Sequence, residues 1–175
     1  MTAIHHYRIR RIQSEIHHRL LSANAVVPPQ EWYETMHVRL QQWLDSKPPS
    51  DGFCSAAWAN VNYHSTMVLL HRPSPANPSP GIADLRQALS SAGRVMRAYK
   101  AMHRAGQINF GTLDEIQTKL ISDWLAMYNL FMAGITYLNS LWQAQRCGWT
   151  IINSYVDALM DIHICTGLME ALAGE

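Results

Sequence analysis

From Trp124 to Trp142 no residue carries a charge. At about 1.5 Å of rise per residue, a helix over this run is long enough to cross a bilayer, so it must hide either in lipid or in protein. Asn129, Thr136, Asn139 and Ser140 interrupt its apolar character and weigh against lipid. Ser122, Ala126, Asn129, Ala133, Thr136, Ser140 and Gln143 recur at steps of three and four and form one small, partly polar stripe. Leu120, Trp124, Tyr128, Phe131, Ile135, Leu138 and Trp142 fall on the opposite side. A helix apolar nearly all round is expected at the centre of a bundle, where small residues let a neighbouring backbone come close. The stripe has one other use, as the polar wall of a pocket.

The other segments supply the rest of such a bundle. Between Ile4 and Ala23, the residues Ile9, Ile12, Ile16 and Leu20 stay within an arc of roughly 80° at helical pitch. Their flanks carry Arg8, Arg10, Arg11 and Arg19 with His5, His6, His17 and His18. Adjacent histidines point about 100° apart on a helix and chelate poorly, so this side reads as a solvated face. Pro28-Pro29 opens a second helix through Trp32, Met36, Leu40, Trp43 and Leu44, a stripe that reads as core before it reads as an aromatic ligand box.

A third helix carries Trp58, Val61, Met67, Leu69 and Leu70 and is stopped by Pro73, which has no amide proton. The proline-rich stretch Ser74 to Gly81 reads as a surface connector, with a lid as its functional alternative. Asp84 starts a fourth helix with Leu85, Leu89, Ala92, Met96 and Tyr99 inward and Arg94, Arg97, Lys100 and Arg104 on a solvated face. After Gly148, a last helix from Thr150 to Ala173 places Ile152, Val156, Leu159 and Ile162 inward and leaves Asp157 and Asp161 as solvated acids. The expected fold is all-α: one domain over 1–175, an up-down bundle of about six helices with the apolar helix of about 113–142 at its centre.

Of the 175 residues 48% are apolar and 15% charged, with a net charge of +1, so no global attraction draws the chain to nucleic acid or to an anionic membrane. Direct nucleic-acid binding and a membrane are therefore not expected. Cys54, Cys147 and Cys165 are far apart and read as reduced thiols, without a metal site. The N-terminus places His and Arg where a signal peptide needs an apolar core, so the expected location is intracellular, nucleus or cytoplasm. No triad, phosphate loop or dinucleotide fingerprint is present, and no cofactor is expected.

Chemistry must therefore come from placement. His71 and Arg72 fall in the last turn of the third helix, where they read as a C-terminal cap, or alternatively as an anion site or a catalytic acid. Low in motif content but central in position, His64, Tyr63 and Asn129 are the catalytic candidates. His64 is expected to titrate near neutral pH and Asn129 to donate to an oxyanion. Trp124, Tyr128, Asn129 and His64 are the candidates for binding a small hydrophobic or aromatic metabolite. Their bland reading is satisfied core.

Arg8 to Leu20, the Trp43-Leu44 segment, Tyr63-His64 leading to Leu69-Leu70-His71-Arg72-Pro73, and Phe131 to Ile135 with Leu141-Trp142 together resemble the fungal-specific transcription factor domain. That domain is the middle homology region of fungal zinc-cluster regulators. Leu70, His71, Arg72 and Pro73 are the most specific piece, and the likeness spans about Ile9 to Ala173, the later part of the domain only. It implies an all-helical regulatory module that tunes an activator and in some members senses small molecules. The six-cysteine zinc cluster that reads DNA in that family has no counterpart here, so the chain is expected to lack its own DNA-binding activity, either as a fragment of a regulator or as a free-standing protein. A second expectation is a stand-alone enzyme of secondary metabolism, an isomerase or cyclase using the bundle cavity. A third is a homodimer that covers apolar helix faces.

Overall fold

The computed structural model describes residues 2–47, 56–105, 116–150 and 155–173. Cys54, Leu113 and Ile152 lie outside them, and so do the side chains of Leu120 and Ser122. Six helices form an all-α bundle: α1 (Thr2–Leu21), α2 (Gln30–Asp45), α3 (Ala56–His71), α4 (Ile82–Arg104), α5 (Ile116–Arg146) and α6 (Tyr155–Ala173). No described residue is in a strand.

Two apolar cores share one helix. The first joins Ile9, Ile12, Ile16 and Leu20 of α1 with Met36, Leu40 and Trp43 of α2, so the aliphatic stripe and the tryptophan stripe pack on each other as expected. The second gathers Leu89, Ala92, Val95, Met96 and Tyr99 of α4 with the inner sides of α5 and α6. Helix α3 serves both, giving Met67, Leu69 and Leu70 to the first and Val61 and Val68 to the second. An unbroken run from Thr66 to His71 is buried, so α3 is the helix covered nearly all round.

Helix α5 is covered on one side only, which corrects the expectation of all-round burial. It buries Ala126, Leu130, Ala133, Thr136, Tyr137, Ser140 and Ala144 and turns Trp124, Tyr128, Phe131, Ile135, Leu138 and Trp142 to solvent, from Tyr128 at 41% to Trp124 at 69% exposure. The reason is distance. A Cβ added at Gly134 would lie 2.9 Å from Cys165 Sγ on α6, an approach that Trp or Phe on this side would forbid. No described helix is long and apolar enough to cross a membrane.

Helix α6 answers with small residues of its own. Ala158, Asp161, Cys165 and Leu168 face inward, whereas Val156 and Leu159, expected inside, are each 66% exposed. Asp161 is accordingly no solvated acid: it is buried and accepts from Arg97 Nη1 at 2.6 Å, which also takes Arg97 out of the free cationic face. Burial and the neighbouring Asp161 push the Tyr137 hydroxyl up to about 12.

In the first half one reading is corrected and the connector reading is sharpened. His5 is not on a solvated face but buried, stacked on Trp43 at 4.5 Å, while Trp43 Nε1 donates to the His5 carbonyl at 2.9 Å. The proline-rich connector is pinned down: Ala76 is buried and its amide donates to the Leu20 carbonyl at 3.2 Å, and Asn77 N donates to Ser74 Oγ at 3.1 Å. It ties α3 to the end of α1 and does not form a lid.

Because Cys165 is held on a packed helix, Gly134→Ala is expected to lower stability by about 1–3 kcal/mol from overpacking. Better helix propensity recovers only about 1 kcal/mol. Urea unfolding measures the difference, and a Gly134→Ala chain more stable than the parent would mean that α5 and α6 do not approach this closely.

Candidate functional site

A cavity of about 100 Å³ lies where α1, α3, α4 and α5 meet. Helix α1 contributes Arg10, Gln13 and His17, which follow each other at steps of three and four beside the buried isoleucine stripe. From α3 come Ser65, Val68, Leu69 and Arg72, and from α4 Val95. Helix α5 closes the space with Leu125, Tyr128, Asn129, Met132 and Ala133. The aromatic, the amide and the alanine sit there because the edge of the small stripe passes the cavity.

Part of the lining is held by hydrogen bonds. Arg10 Nη1 donates to Gln13 Oε1 at 2.8 Å, Gln13 Nε2 donates to Thr66 Oγ1 at 2.9 Å, and Thr66 Oγ1 donates to the Asn62 carbonyl at 2.7 Å. Asn129 Nδ2 donates to the Tyr99 hydroxyl oxygen at 3.0 Å. The rest is incompletely satisfied. Ser65 Oγ and Arg72 Nε are buried without a partner, and the Arg72 Nη1 contact to Met132 Sδ, at 3.7 Å, is with a weak acceptor. Burial lowers the pKa of both arginines from its ordinary value and that of His17 as well, the last with help from the Arg72 charge.

The residues singled out by sequence are divided by this geometry. Tyr128 and Asn129 line the cavity, whereas Trp124 is exposed and stacks on Tyr128 at 5.8 Å. Tyr63 points elsewhere, donating to Gln41 Oε1 at 3.4 Å. His64 lies against Tyr63 and near Arg94 and Arg97 of α4, not in the cavity. Burial first, then those two charges, pulls the His64 pKa down to about 4, so it is neutral at pH 7 and does not titrate near neutrality.

The Leu70-His71-Arg72-Pro73 segment is split between two tasks. His71 is buried; its Nδ1 donates to Asp84 Oδ1 at 2.7 Å and its Nε2 lies 2.6 Å from His37 Nε2. It clamps α3 to α4 and α2 and does not cap its own helix, which corrects the cap reading. Arg72 enters the cavity instead. Arg10, Gln13, His17, Ser65 and Met132 were not among the expected site residues. The spacing of Arg10, Gln13 and His17 along the border of the isoleucine stripe was the available signal. A second concavity, lined by Arg8, Arg11, Arg39 and Trp43 between α1 and α2, is broad and open, and Arg39 already pairs with Glu15 at 2.8 Å. Among the described residues no cluster of three His, Cys, Asp or Glu side chains is arranged to hold a metal ion.

Two relatives are similar to the chain over most of its length. Pyrimidine pathway regulatory protein 1 of Saccharomyces cerevisiae is 25% identical over 147 residues, covering 75% of this chain and 14% of the relative. Positive regulator of purine utilization of Emericella nidulans is 23% identical over 194 aligned positions, covering 82% of this chain and 17% of the relative. The chain thus spans less than a fifth of the length of either relative, and its likeness is to fungal regulators. No family model and no solved structure matches it.

The depressed histidines give stability a direction with pH. An unfolded His64 takes up a proton near the ordinary histidine value of 6.5 while the folded one resists until about 4, so the unfolded chain binds more protons in between. This contribution is whole above about 6.5 and is lost as pH falls toward 4. His5, His6, His17 and His37 are shifted the same way, each chiefly by burial. The urea midpoint is therefore expected to be lower near pH 5 than near pH 7, and His64→Gln to narrow the gap. A gap of unchanged size in His64→Gln would remove this residue from the account.

Proposed function

We propose that the chain is a regulatory helical module that responds to a small molecule held in the cavity between α1, α3, α4 and α5, and that it does not itself read DNA. The likeness to regulators of pyrimidine and purine pathways supports a regulatory role. The observation that carries the ligand reading is the position of the cavity. It is lined by α1 from the first core and by α4 and α5 from the second, with buried polar atoms left unpartnered on α3 between them. A molecule touching both halves favours their joined arrangement, and a ligand shifts an equilibrium by its differential affinity for the two states. A volume of about 100 Å³ is below the ~300–1,000 Å³ of sites for drug-sized ligands, so the ligand is compact.

Native mass spectrometry of the chain after exposure to a fungal metabolite extract tests this. A retained small molecule that is lost from Asn129→Ala is the expected result; no retained mass, with no change in thermal midpoint, would remove the ligand from the reading.

The outer face of α5 favours an additional role in self-association. Trp124, Tyr128, Phe131, Ile135, Leu138 and Trp142 form one exposed apolar stripe, with Arg146 lying over the Trp142 ring at 4.7 Å. At roughly 150–250 Å² for a fully covered aromatic, the stripe offers on the order of 600 Å², close to the ~800 Å² per partner of a standard interface. An isologous pairing of α5 with α5 of a second copy matches like with like about a two-fold axis. Light scattering is expected to give a mass of two chains, and Phe131→Arg a mass of one. A parent chain that is monomeric at ordinary solubility would count against pairing.

A further inference from the structure

Two guanidinium groups line the cavity, and no Asp or Glu lines it among the described residues. Arg10 comes from α1 and Arg72 from the end of α3. The ion pairs of the described residues engage Arg39, His71 and Arg97 and leave these two arginines out. The contrast with Arg97 is informative, because there the chain supplies a buried carboxylate to meet the cation. A guanidinium keeps its proton at any physiological pH, and a partly desolvated charge without a counter-charge is costly. At Arg72 the cost is visible in an Nε without an acceptor and an Nη1 resting on a thioether.

The remaining lining fits the same kind of guest. Ser65 Oγ is a buried hydroxyl with no partner, and Tyr128 and Asn129 add polar groups on the α5 side. Val68, Leu69 and Val95 supply an apolar wall. An engineered dry cavity of about 150 Å³ takes benzene, so about 100 Å³ takes a carboxylate with a body of only a few carbons.

We propose that the cavity is an oxyanion site for a compact organic acid, whose carboxylate is gripped by Arg72 and Arg10 while its short apolar body lies against Val68, Leu69 and Val95. This rests on the reading of the cavity as a ligand site and adds the chemical class. The guanidinium fork matches a carboxylate in two parallel hydrogen bonds, which an ammonium does not. Arg72 Nε supplies one donor that is already desolvated and idle, so its pairing gains more than an exposed contact would.

The test follows the arginine Nε–H signals by nitrogen-15 NMR while the whole chain is titrated with sodium propionate, its neutral isostere propionamide, inorganic phosphate, and sodium chloride at matched ionic strength. Propionate is expected to move the Arg72 Nε signal saturably, with phosphate weaker and propionamide and chloride without saturable effect. Arg72→Gln and Arg10→Gln are each expected to weaken propionate about tenfold or more, the scale of a lost charge-assisted bond. Chloride acting like propionate would reduce the effect to screening and overturn the proposal. Propionamide binding as well as propionate would overturn the anionic class while leaving a ligand cavity, and phosphate binding more tightly would overturn the organic body. Silence from every probe beside a metabolite retained in native mass spectrometry also sinks the anion alone, whereas silence in both experiments sinks the ligand site with it. The propionate–propionamide comparison uses the unaltered chain, so it decides even if an arginine variant fails to fold.

Discussion

Close approach of α5 to its neighbours is the constraint on which the second half of the bundle depends. Alanines at 126 and 133 and the hydroxyls of Thr136 and Ser140 are buried there, and Ser140 Oγ hides its polarity by donating to the Thr136 carbonyl at 2.8 Å. With no side chain at Gly134, Cys165 can sit against the α5 backbone, where its Sγ lies 3.4 Å from the Leu130 carbonyl. Close packing then dictates what α6 presents: Ala158 and Cys165 fit, and Leu159 does not. Asp161, brought inside with them, is tolerable because Arg97 reaches it from α4, since a buried charge must be paired. Trp124, Phe131, Ile135, Leu138 and Trp142 of α5 are left on the outside as the remainder of the same choice.

Helix α3 converts this local packing into a joint between two cores. Its Met67, Leu69 and Leu70 belong to the α1–α2 side and its Val61 and Val68 to the α4–α5–α6 side, so neither core closes without it. The cavity lies along that joint, and each side bonds its own part of the polar lining: Gln13 of α1 reaches Thr66 of α3, while Asn129 of α5 reaches Tyr99 of α4. No hydrogen bond among these crosses from α1 to α5. The proposed guest, touching Arg10 of α1, Arg72 beyond α3 and Val95 of α4, would add a contact between the two halves, and occupancy there would bias how they pack.

What the sequence made legible was the part governed by periodicity. The isoleucines of α1, the tryptophan stripe of α2 and the inward face of α4 all lie where helical spacing puts them, because one apolar stripe facing one core leaves a single solution. Periodicity failed for α5 and α6, where both sides are apolar and the choice between them is made by side-chain volume at the contact, not by hydrophobicity. His5 was misplaced for a related reason: a histidine beside arginines reads as solvated until a Trp43 ring arrives from 38 positions away to stack on it. The cavity was half legible. Tyr128 and Asn129 lie on the helix expected to carry a pocket wall, whereas Arg10, Gln13 and Ser65 become neighbours only through long-range packing that no local pattern encodes.

The Leu70-His71-Arg72-Pro73 segment shows how one short motif both fastens helices and lines a cavity. Adjacent residues on a helix point about 100° apart, so a His-Arg pair at the last turn necessarily faces two directions. His71 turns to Asp84 and His37 and fastens three helices, and Arg72 turns to the cavity. The position next to a helix C-terminus favours the cation and disfavours an approaching anion, each by about 0.3–1 kcal/mol. A hydrogen bond to a charged group contributes about 1.5–3 kcal/mol, so the grip of Arg72 and Arg10 on the proposed carboxylate would outweigh the opposing end of α3. The same terminal field favours the Arg72 guanidinium where it lies, with Nη1 3.7 Å from Met132 Sδ.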